Sequence, residues 1–427
     1  MIIDDIPQVI YAPVKAFKKI IEDPKYLGAI IILLLFIAVQ VGYEYTQFSK
    51  TYTENTLPTV DKLSDYTNAT LWTNSSGIAL SNNFNDFYNY SVYVAALGTT
   101  SANPQSLYSL FGNSSLEIDA VNTNSLSAAL NNTFDVDCGA SGFQNLSLTI
   151  KMVQPQIAPQ SAALTLDSFN DSNSYTYDLT SSLSNTTAIG LWNNLTIPLG
   201  PVALGWTSIG APSWSNVTAL KLDFTYPNSS NITIRIGALF FRGQYQTPIQ
   251  YNNTGILLQF LQVFSLQFIL GWLLLAGLIY LMFKALKTTN VTWKPLFVAL
   301  GYALFVMVMR ALVSLFAALT LPSLYYPYDL SLGVRFDTYG ALYYPSGVAS
   351  ALSAQSQAVY NSINVATEGF RFVTSAIFVV AYVWLGALTV IIIGTIKPEF
   401  SMVKRIAISV VGVGVTILLL LLLVGIV

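Results

Sequence analysis

The side chains of this 427-residue chain that could do chemistry are mostly carboxylates. There is no histidine and only one cysteine, Cys138. The sequence therefore offers no imidazole base or ligand, no intrachain disulfide and no paired-cysteine metal motif. Carboxylate oxygens can bind calcium, and a carboxylate pair can hydrolyse a glycosidic bond. Five acids lie in Asn- and Ser-rich stretches: Asp135, Asp137, Asp167, Asp171 and Asp178.

These acids lack the spacing that would define either kind of site. No D-x-D-x-D-G loop is present, and no two acids stand out as a pair. Solvated turn residues are the favoured interpretation, and a structural calcium ion on Asp135, Asp137 and Asp167 is the alternative. We therefore expect a protein that is not an enzyme, with no cofactor beyond that ion.

Three tryptophans could stack on sugar rings: Trp192, Trp206 and Trp214. Packing at the edge of a core is the favoured interpretation for Trp206 and Trp214. Trp192 differs, because it shares the parity of Asn194 and Thr196 and is opposite to the apolar residues of its run.

The composition indicates a membrane protein. The chain is 53% hydrophobic and 9% charged, whereas soluble domains carry roughly 25% charged residues. The mean hydropathy is +0.54. This balance excludes a purely soluble enzyme, and a net charge of −2 offers no basic field for nucleic acid.

Five apolar stretches are long enough to span a bilayer, which needs about 20 residues. They cover residues 26–43, 256–283, 296–321, 372–396 and 406–427. No small-residue cleavage site follows the first stretch, so it is predicted to be an uncleaved signal anchor.

The basic residues predict how these spans are oriented. They occur before the first span, between the second and third, and between the fourth and fifth, at Lys15, Lys18, Lys19, Lys25, Lys284, Lys287, Lys294, Lys397, Lys404 and Arg405. If the spans alternate, all three segments lie on one side, which should be cytoplasmic. Residues 1–25 are then a cytoplasmic amphipathic segment, and residues 44–255 an extracellular domain. Residues 256–427 hold four more spans with an extracellular Tyr-rich loop at 322–371, and the C-terminus is outside.

Residues 44–255 read as β-structure. Apolar and polar residues alternate over 220–226 and 232–240, and the clusters GAPSWSN and YPNSSN separate the runs. Short strands at such spacing predict an extracellular all-β sandwich above an α-helical membrane domain. Residues 191–245, with WNNLTIPLG, PSWSNVTALKLDF and ITIRIGALFFRGQY, also resemble carbohydrate-binding jelly rolls of the galactose-binding-like type. That resemblance implies a jelly-roll topology and glycan binding.

The same segment is dense in N-glycosylation sequons. Thirteen occur there: Asn68, Asn74, Asn89, Asn113, Asn131, Asn145, Asn170, Asn185, Asn194, Asn216, Asn228, Asn231 and Asn252. An exported domain of this composition should carry N-linked glycans at several of them, with Asn194 and Asn216 the strongest candidates. Many sequons without disulfides are typical of an archaeal cell surface.

The N-terminal segment IPQVIYAPVKAFKKIIEDPKYLG predicts an amphipathic helix. Val14, Phe17, Ile20 and Ile21 form its apolar face, which should lie in the cytoplasmic interface. The positions of Pro13, Phe17, Ile20/Ile21 and Pro24 resemble the start of prokaryotic Yip1-domain membrane proteins, which also have five spans. The 210-residue insertion after the first span departs from that family.

Arg310 and three glutamines stand out within the apolar stretches. Arg310 is near the middle of LFVMVMRALVSLF, where a charge costs several kcal/mol unless it is solvated or paired. It either lines a functional path or has a structural role, in which it snorkels or bonds to neighbours such as Gln267. Gln267, with Gln259 and Gln262, could also join its helix to another helix.

Together these features predict a membrane-anchored cell-surface glycoprotein. Its sandwich would mediate glycan or protein interaction at the envelope, with lipid and envelope or membrane-complex proteins as partners. A transport or channel-like protein, or an accessory subunit of a larger membrane complex using Arg310, is the alternative.

Overall fold

The computed structural model describes residues 2–59, 62–88, 112–184, 189–288, 291–328, 335–336, 342–343 and 354–424. Over these residues the chain forms a large, almost entirely antiparallel β-sheet and a bundle of long apolar helices.

The strands of the sheet occupy the middle of the chain. They are β1 (Thr51–Leu57), β2 (Trp72–Asn74), β3 (Ile78–Asn83), β4 (Ser115–Val136), β5 (Asn145–Gln154), β6 (Ser161–Ser168), β7 (Asn170–Asp178), β8 (Asn193–Pro198), β9 (Trp206–Ile209), β10 (Val217–Gln246) and β11 (Leu324–Tyr326). A separate short pair comprises β12 (Arg335–Phe336) and β13 (Leu342–Tyr343).

The helices flank the sheet on both sides in sequence. They are α1 (Ile2–Tyr11), α2 (Pro13–Glu22), α3 (Tyr26–Lys50), the single turn α4 (Thr180–Leu183), α5 (Pro248–Ala285), α6 (Trp293–Ala303), α7 (Phe305–Leu319), α8 (Ala354–Ile396) and α9 (Met402–Val424). By length and composition, five helical segments could cross a membrane: α3, α5, α6 with α7, α8 and α9.

The helices extend beyond the apolar stretches that predicted them. α3 runs seven residues past the predicted end at residue 43. α5 begins at Pro248 with a single turn, and a kink at Asn252, where the backbone is not helical, separates this turn from the long helix near the predicted start at residue 256. A capping box fixes the start of α5 at Pro248. The Thr247 hydroxyl accepts from the backbone N–H of Gln250, and the Gln250 side-chain oxygen accepts from the backbone N–H of Thr247. α8 begins 18 residues before its apolar run, within the segment predicted as an extracellular loop.

The predicted N-terminal amphipathic helix is α2, but its buried face differs in part from the prediction. Ala16, Phe17 and Ile20 are buried against the bundle, whereas Val14 is 63% exposed. α2 is docked on α6 and α8. The apolar face is thus narrower than the sequence indicates, because Val14 lies at its margin.

β10 organises the sheet because it pairs with different strands along its length. Residues 217–225 lie between β4 and β6, and residues 233–242 pair with β5. The register with β4 shifts between Thr225 and Ser230. YPNSSN lies at this point, so these turn residues bend one long strand and do not separate two strands as the sequence predicts.

The bend lets the two halves of the sheet enclose one core. Leu220, Leu222 and Phe224 from the first half and Ile234 and Ile236 from the second are buried in the same apolar cluster. Their alternation with polar neighbours follows the predicted parity. The result is a β-sandwich in which β4 and β10 belong to both layers.

The sandwich is joined to the helices without linkers. α3 runs directly into β1, and β10 is separated from α5 by Thr247 alone. β1 then pairs antiparallel with the end of β10, with Glu54 opposite Tyr245. β11, which follows α7, adds to the other edge of β1.

A buried ion pair lies at this junction. The Glu54 side chain is 1% exposed and accepts from Arg242 Nε at 2.9 Å. It also accepts from the Tyr328 amide at 2.9 Å, and the Arg242 guanidinium lies 4.7 Å from the Tyr328 ring centre. On the helical side, Lys50 Nζ donates to the carbonyl oxygens of Leu319 and Leu321. The junction therefore satisfies its charges internally.

Removing one member of this pair should destabilise the protein more than removing both. Arg242→Leu leaves the Glu54 carboxylate buried without its cation, which costs about 3–5 kcal/mol in comparable pairs. Glu54→Leu/Arg242→Leu should recover much of this loss, because no charge is left buried. Thermal unfolding of the purified protein measures both effects. Lys221→Leu, in the exposed Lys221–Asp223 pair, is the control and should change stability by less than about 1 kcal/mol. Equal melting temperatures for the single and double variants would contradict the prediction.

Candidate functional site

A row of charged side chains crosses the outer face of the second half of the sheet. Arg235 of β10 is paired across the sheet with Glu117 of β4 on one side and with Lys151 of β5 on the other. All three side chains lie on the face of the sheet opposite to that of the buried Ile234 and Ile236. The antiparallel register therefore sets acid, guanidinium and amine side by side on three neighbouring strands.

A fourth charge, Asp86, comes from the segment after β3 and connects the row. Its carboxylate binds Lys151 Nζ at 2.7 Å and also Arg235 Nη1. Arg235 Nε binds Glu117 at 2.5 Å, and the Asn83 amide donates to the same Glu117 oxygen at 2.7 Å. These contacts hold every charged group of the row in a fixed position.

The two acids and two bases carry no net charge, and each acid is paired with at least one base. Burial alone would raise the pKa of Asp86, but hydrogen bonds and charges from Lys151 and Arg235 outweigh it and lower that pKa below its usual value. Burial likewise opposes the charge on Arg235, and Glu117 and Asp86 together raise its pKa. These interactions favour the charged forms of Asp86 and Arg235.

Two aromatic rings lie beside this charged row. Trp192, just before β8, lies over Gly237 of β10. The Tyr88 and Trp192 rings contact each other edge to face, with their centres 6.1 Å apart. A Cβ at Gly237 would lie 2.5 Å from Tyr88 Cβ and 2.9 Å from the Trp192 ring. Only glycine leaves room for both rings here. Lys151 Nζ lies 5.8 Å from the Trp192 ring centre, so ring and charge are neighbours.

Hydrogen bonds also fix the tyrosine. The Asn194 amide donates to the Tyr88 hydroxyl at 3.0 Å, and the Thr149 hydroxyl donates to the Asn194 carbonyl at 2.8 Å. We call Asp86, Tyr88, Glu117, Lys151, Trp192, Asn194 and Arg235 the outer polar face. It combines partly exposed aromatic surface with fixed donors and acceptors, the usual composition of a site for a polar, uncharged ligand.

Of the predicted tryptophans, only Trp192 belongs to the outer polar face. Trp206 and Trp214 pack against the sandwich core and contact each other edge to face at 5.3 Å. Tyr175 stacks on Trp214 at 3.9 Å, and Trp206 Nε1 donates to the Pro198 carbonyl at 2.6 Å. This second aromatic group is held by its own contacts at the edge of the sandwich.

The candidate calcium ligands are not brought together. Asp135 and Asp137 are exposed and Asp167 is half-buried, and Asp137 accepts from the Gly139 amide at 2.7 Å as a turn residue. Within the described ranges, no three His, Cys, Asp or Glu side chains are placed to hold a metal ion. Asp178 likewise accepts from the Thr180 amide at 2.8 Å.

Cys138 lies inside the sandwich core. Its thiol is fully buried, and burial, together with the nearby Asp137 charge, raises its pKa to about 12. The thiolate is therefore essentially unpopulated at neutral pH, and this cysteine is not a nucleophile.

The sequon asparagines differ in exposure. Seven are exposed: Asn68, Asn74, Asn113, Asn194, Asn228, Asn231 and Asn252. Asn145 and Asn216 are half-buried. The side-chain oxygen of Asn216, Oδ1, is buried without a hydrogen-bond partner among the described residues. Asn89 and Asn185 lie outside the described residues, as do the side chains of Asn131 and Asn170 and residues 329–334, 337–341 and 344–353 of the Tyr-rich segment.

Arg310 packs against aromatic rings. Its guanidinium lies 4.9 Å from the Phe378 ring centre and 6.0 Å from that of Tyr382, both on α8. With Gln267 and Thr416 it lines a cavity of about 50 Å³ that is otherwise mainly apolar. That volume suits a few water molecules. The contacts tie α7 to α8 by a cation–π interaction.

Sequence reasoning missed the charged half of the outer polar face. The available signal was the parity of Arg235, the one cation in a run of buried isoleucines. Glu117 and Lys151 show the same pattern in their own strands. Which strands are neighbours, however, depends on long-range pairing that parity alone does not provide.

Comparisons with known proteins give partial similarity to carbohydrate-binding β-sandwiches. No family model and no curated protein matches the chain. A family 11 carbohydrate-binding module from Clostridium thermocellum, in complex with a β-1,3-1,4-mixed-linked tetrasaccharide, is 12% identical over 40% of this chain and 86% of that one, with a TM-score of 0.23. The CBM22-1-GH10 modules of the C. thermocellum xylanase Xyn10B are 15% identical over 42% of this chain and 27% of that one (TM-score 0.22). The glycoside hydrolase domain of Endo-D from Streptococcus pneumoniae R6 is 13% identical over 40% and 21% respectively (TM-score 0.20).

The Asp86 ion pairs should make the stability of the sandwich depend on pH. Because the folded-state pKa of Asp86 is lowered, its stabilising contribution is complete above the unfolded-state value of about 3.9 and is lost as pH falls through the folded-state value. Asp86→Asn should thus destabilise the protein at neutral pH and flatten the loss of stability below about pH 4. Melting temperatures measured from pH 7 to pH 3 show this. Asp223→Asn, in the exposed Lys221–Asp223 pair, is the control, and its melting temperature should vary with pH as that of the wild type does. The same pH dependence in Asp86→Asn as in the wild type would contradict the prediction.

Proposed function

We propose that this chain is a membrane-anchored surface protein whose β-sandwich binds a neutral glycan on the outer polar face. The observation that carries the proposal is the Trp192 ring, which lies partly exposed beside a fixed network of charged and amide groups. The network offers both donors and acceptors, and its charges cancel. Both acids of this face, Asp86 and Glu117, are held in ion pairs, and the proposed role is binding.

A sugar ring suits this combination chemically. Its hydroxyl groups donate and accept hydrogen bonds, and carboxylate, guanidinium and amide groups can pair with them in planar, two-point geometry. Its C–H face is apolar and can stack on an aromatic ring. Because Asp86, Glu117, Lys151 and Arg235 already hold one another, little side-chain entropy is lost on binding.

Membrane anchorage is supported by the outer surface of the helix bundle. Large apolar side chains are exposed on every helix proposed to cross, for example Leu34, Leu281, Phe316, Val383 and Leu422. Exposed apolar surface that extends around a bundle is typical of contact with lipid. We infer that α3, α5, α6 with α7, α8 and α9 are the five spans.

We further propose that the sandwich lies outside the cell and the N-terminus inside. The basic residues at the ends of the helices support this orientation through the positive-inside rule. In an exported sandwich we expect N-linked glycans at the exposed sequon asparagines other than Asn194, whose side-chain amide donates to Tyr88 within the outer polar face. The half-buried Asn216 is a poorer acceptor than its sequence context indicates.

Glycan binding should depend on the outer polar face and not on exposed aromatics or ion pairs elsewhere. Calorimetry of the detergent-purified protein against neutral β-linked gluco-, xylo- and manno-oligosaccharides measures it. Trp192→Ala and Lys151→Met should each weaken binding roughly tenfold or more, since a stacked ring or a charge-assisted hydrogen bond is lost.

The matched controls lie on other parts of the sandwich. Phe169→Ala removes an exposed ring at the β6–β7 turn, and Lys221→Met breaks the exposed pair with Asp223. Both should leave affinity unchanged. Absence of binding to every oligosaccharide, or equal losses in the control variants, would refute the proposed site.

The proposed orientation can be tested with an impermeant maleimide on intact cells. Ser229→Cys, at an exposed position in the sandwich, should be labelled. Lys287→Cys, between α5 and α6, should be labelled only after permeabilisation. The wild type is the blank, because the buried Cys138 thiol should not react. Labelling of Lys287→Cys in intact cells would contradict the orientation.

A further inference from the structure

An open groove lies where α2 meets the end of α8 and the start of α9. Its volume is about 510 Å³, within the roughly 300–1,000 Å³ typical of small-molecule sites. Its walls are largely apolar, with Val14 and Ile21 from α2, Ile391 from α8 and Met402 from α9.

A guanidinium lies in this groove with unused hydrogen-bonding capacity. Arg405 Nη2 donates to the Pro398 carbonyl at 2.6 Å, whereas its Nε is buried and has no hydrogen-bond partner in the described part of the chain. An external acceptor can meet only the Nη groups of this guanidinium, because the buried Nε is shielded from the groove.

The backbone of α8 is shaped to accept this guanidinium. A Cβ added at Gly394 would lie 2.5 Å from Arg405 Nη1 and 3.0 Å from Cζ. Glycine at this position allows the guanidinium to lie flat against the helix. The position of Arg405 is therefore defined by α8 and by the Pro398 carbonyl.

The charge of the groove is positive. Lys18 of α2 and Arg405 contribute two cations, and Glu22 contributes one anion. A ligand that satisfies this groove needs one negative oxygen-rich group for the cations and an apolar part for the walls. Both requirements are met by an anionic phospholipid, with its phosphate at Arg405 and an acyl chain along α8.

We propose that this groove binds one anionic phospholipid, whose phosphodiester pairs with Arg405 and Lys18. The proposal rests on the membrane anchorage proposed above and is independent of glycan binding. It commits to a lipid and not to free phosphate, because the apolar walls would remain uncovered around an inorganic ion.

The test uses the full-length protein purified in a non-ionic detergent, with phosphatidylglycerol and phosphatidylcholine as probes. Native mass spectrometry counts bound lipids, and thermal unfolding during titration gives the affinity. Phosphatidylglycerol should bind in a 1:1 ratio and raise the melting temperature, with phosphatidylcholine at least roughly tenfold weaker. Inorganic phosphate should have no effect. Equal binding of the two lipids, or a phosphate effect as large as that of phosphatidylglycerol, would overturn the proposal.

Two variants separate this groove from general surface charge. Arg405→Gln should weaken phosphatidylglycerol binding roughly tenfold or more, while Lys404→Gln should stay within about twofold of the wild type. Lys404 is the matched control, because it loses the same charge one residue away and lies over the Phe400 ring at 4.0 Å, outside the groove lining. Equal effects of the two variants would overturn the proposal.

A further variant guards against loss of folding in Arg405→Gln. Val14→Glu adds a negative charge at an exposed wall position of α2 and should weaken the same lipid comparably while the protein still melts cooperatively. Unchanged lipid affinity in this variant would overturn the proposal. Failure of membrane anchorage itself is recognised separately, because the wild type would then stay in the soluble fraction after cell lysis without detergent.

Discussion

The antiparallel pairing of β1 with the end of β10 is the constraint on which the rest of the structure depends. β1 follows α3 directly, and β10 leads into α5. Pairing the two strands therefore fixes α3, α5 and the sandwich relative to one another. The buried Glu54 carboxylate reinforces this joint, since Arg242 and the Tyr328 amide both bind it. Because Tyr328 follows α7 and β11, three chain segments meet at a single anion. Orientation of the sandwich thus depends on backbone pairing and not on a flexible tether.

The bend in β10 produces both the core and the outer polar face. A strand of 30 residues could not remain in one flat layer, and the irregular pairing at residues 225–230 folds the sheet over. Isoleucines of the second half then face the first half and become buried. The same alternation turns Arg235 outward between Glu117 and Lys151. Stability and the candidate site therefore follow from one strand whose two faces differ in polarity.

The sequence predicted what depends on local pattern. The apolar runs predicted the five long helices, and the parity of Leu220–Tyr226 and of Ile232–Ile236 predicted which β10 residues enter the core. Beyond the register shift after Ile236 the parity changes, so Leu239 enters the core while Ala238 and Phe240 join a separate cluster. Bounds were less accurate, because hydropathy records where apolar residues end, whereas α3 continues through polar residues that still form helical hydrogen bonds. YPNSSN was assigned to a turn between strands, since its composition is the same whether it closes a hairpin or bends a strand.

The candidate site was only partly predictable for a related reason. Trp192 was set apart from Trp206 and Trp214 by parity alone, and the structure places it on the outer face. Asp86 could not be assigned, because nothing near it in sequence shows that the segment after β3 crosses to β5 and β10. Contacts between residues 65 or 149 positions apart are set by strand order, which local patterns do not contain.

The rigid joint also limits where the outer polar face can lie. Arg235 and Arg242 are seven residues apart on β10, and at about 3.3 Å per residue they are separated by roughly 23 Å of strand. Arg242 is held by Glu54 at the junction of the sandwich with the helices. The proposed binding face therefore lies within roughly 23 Å of that junction along β10. On the proposed topology, a ligand on this face is held close to the membrane surface. The proposed glycan ligand would then have to reach this layer, since the paired strands leave the sandwich little freedom to reach further out.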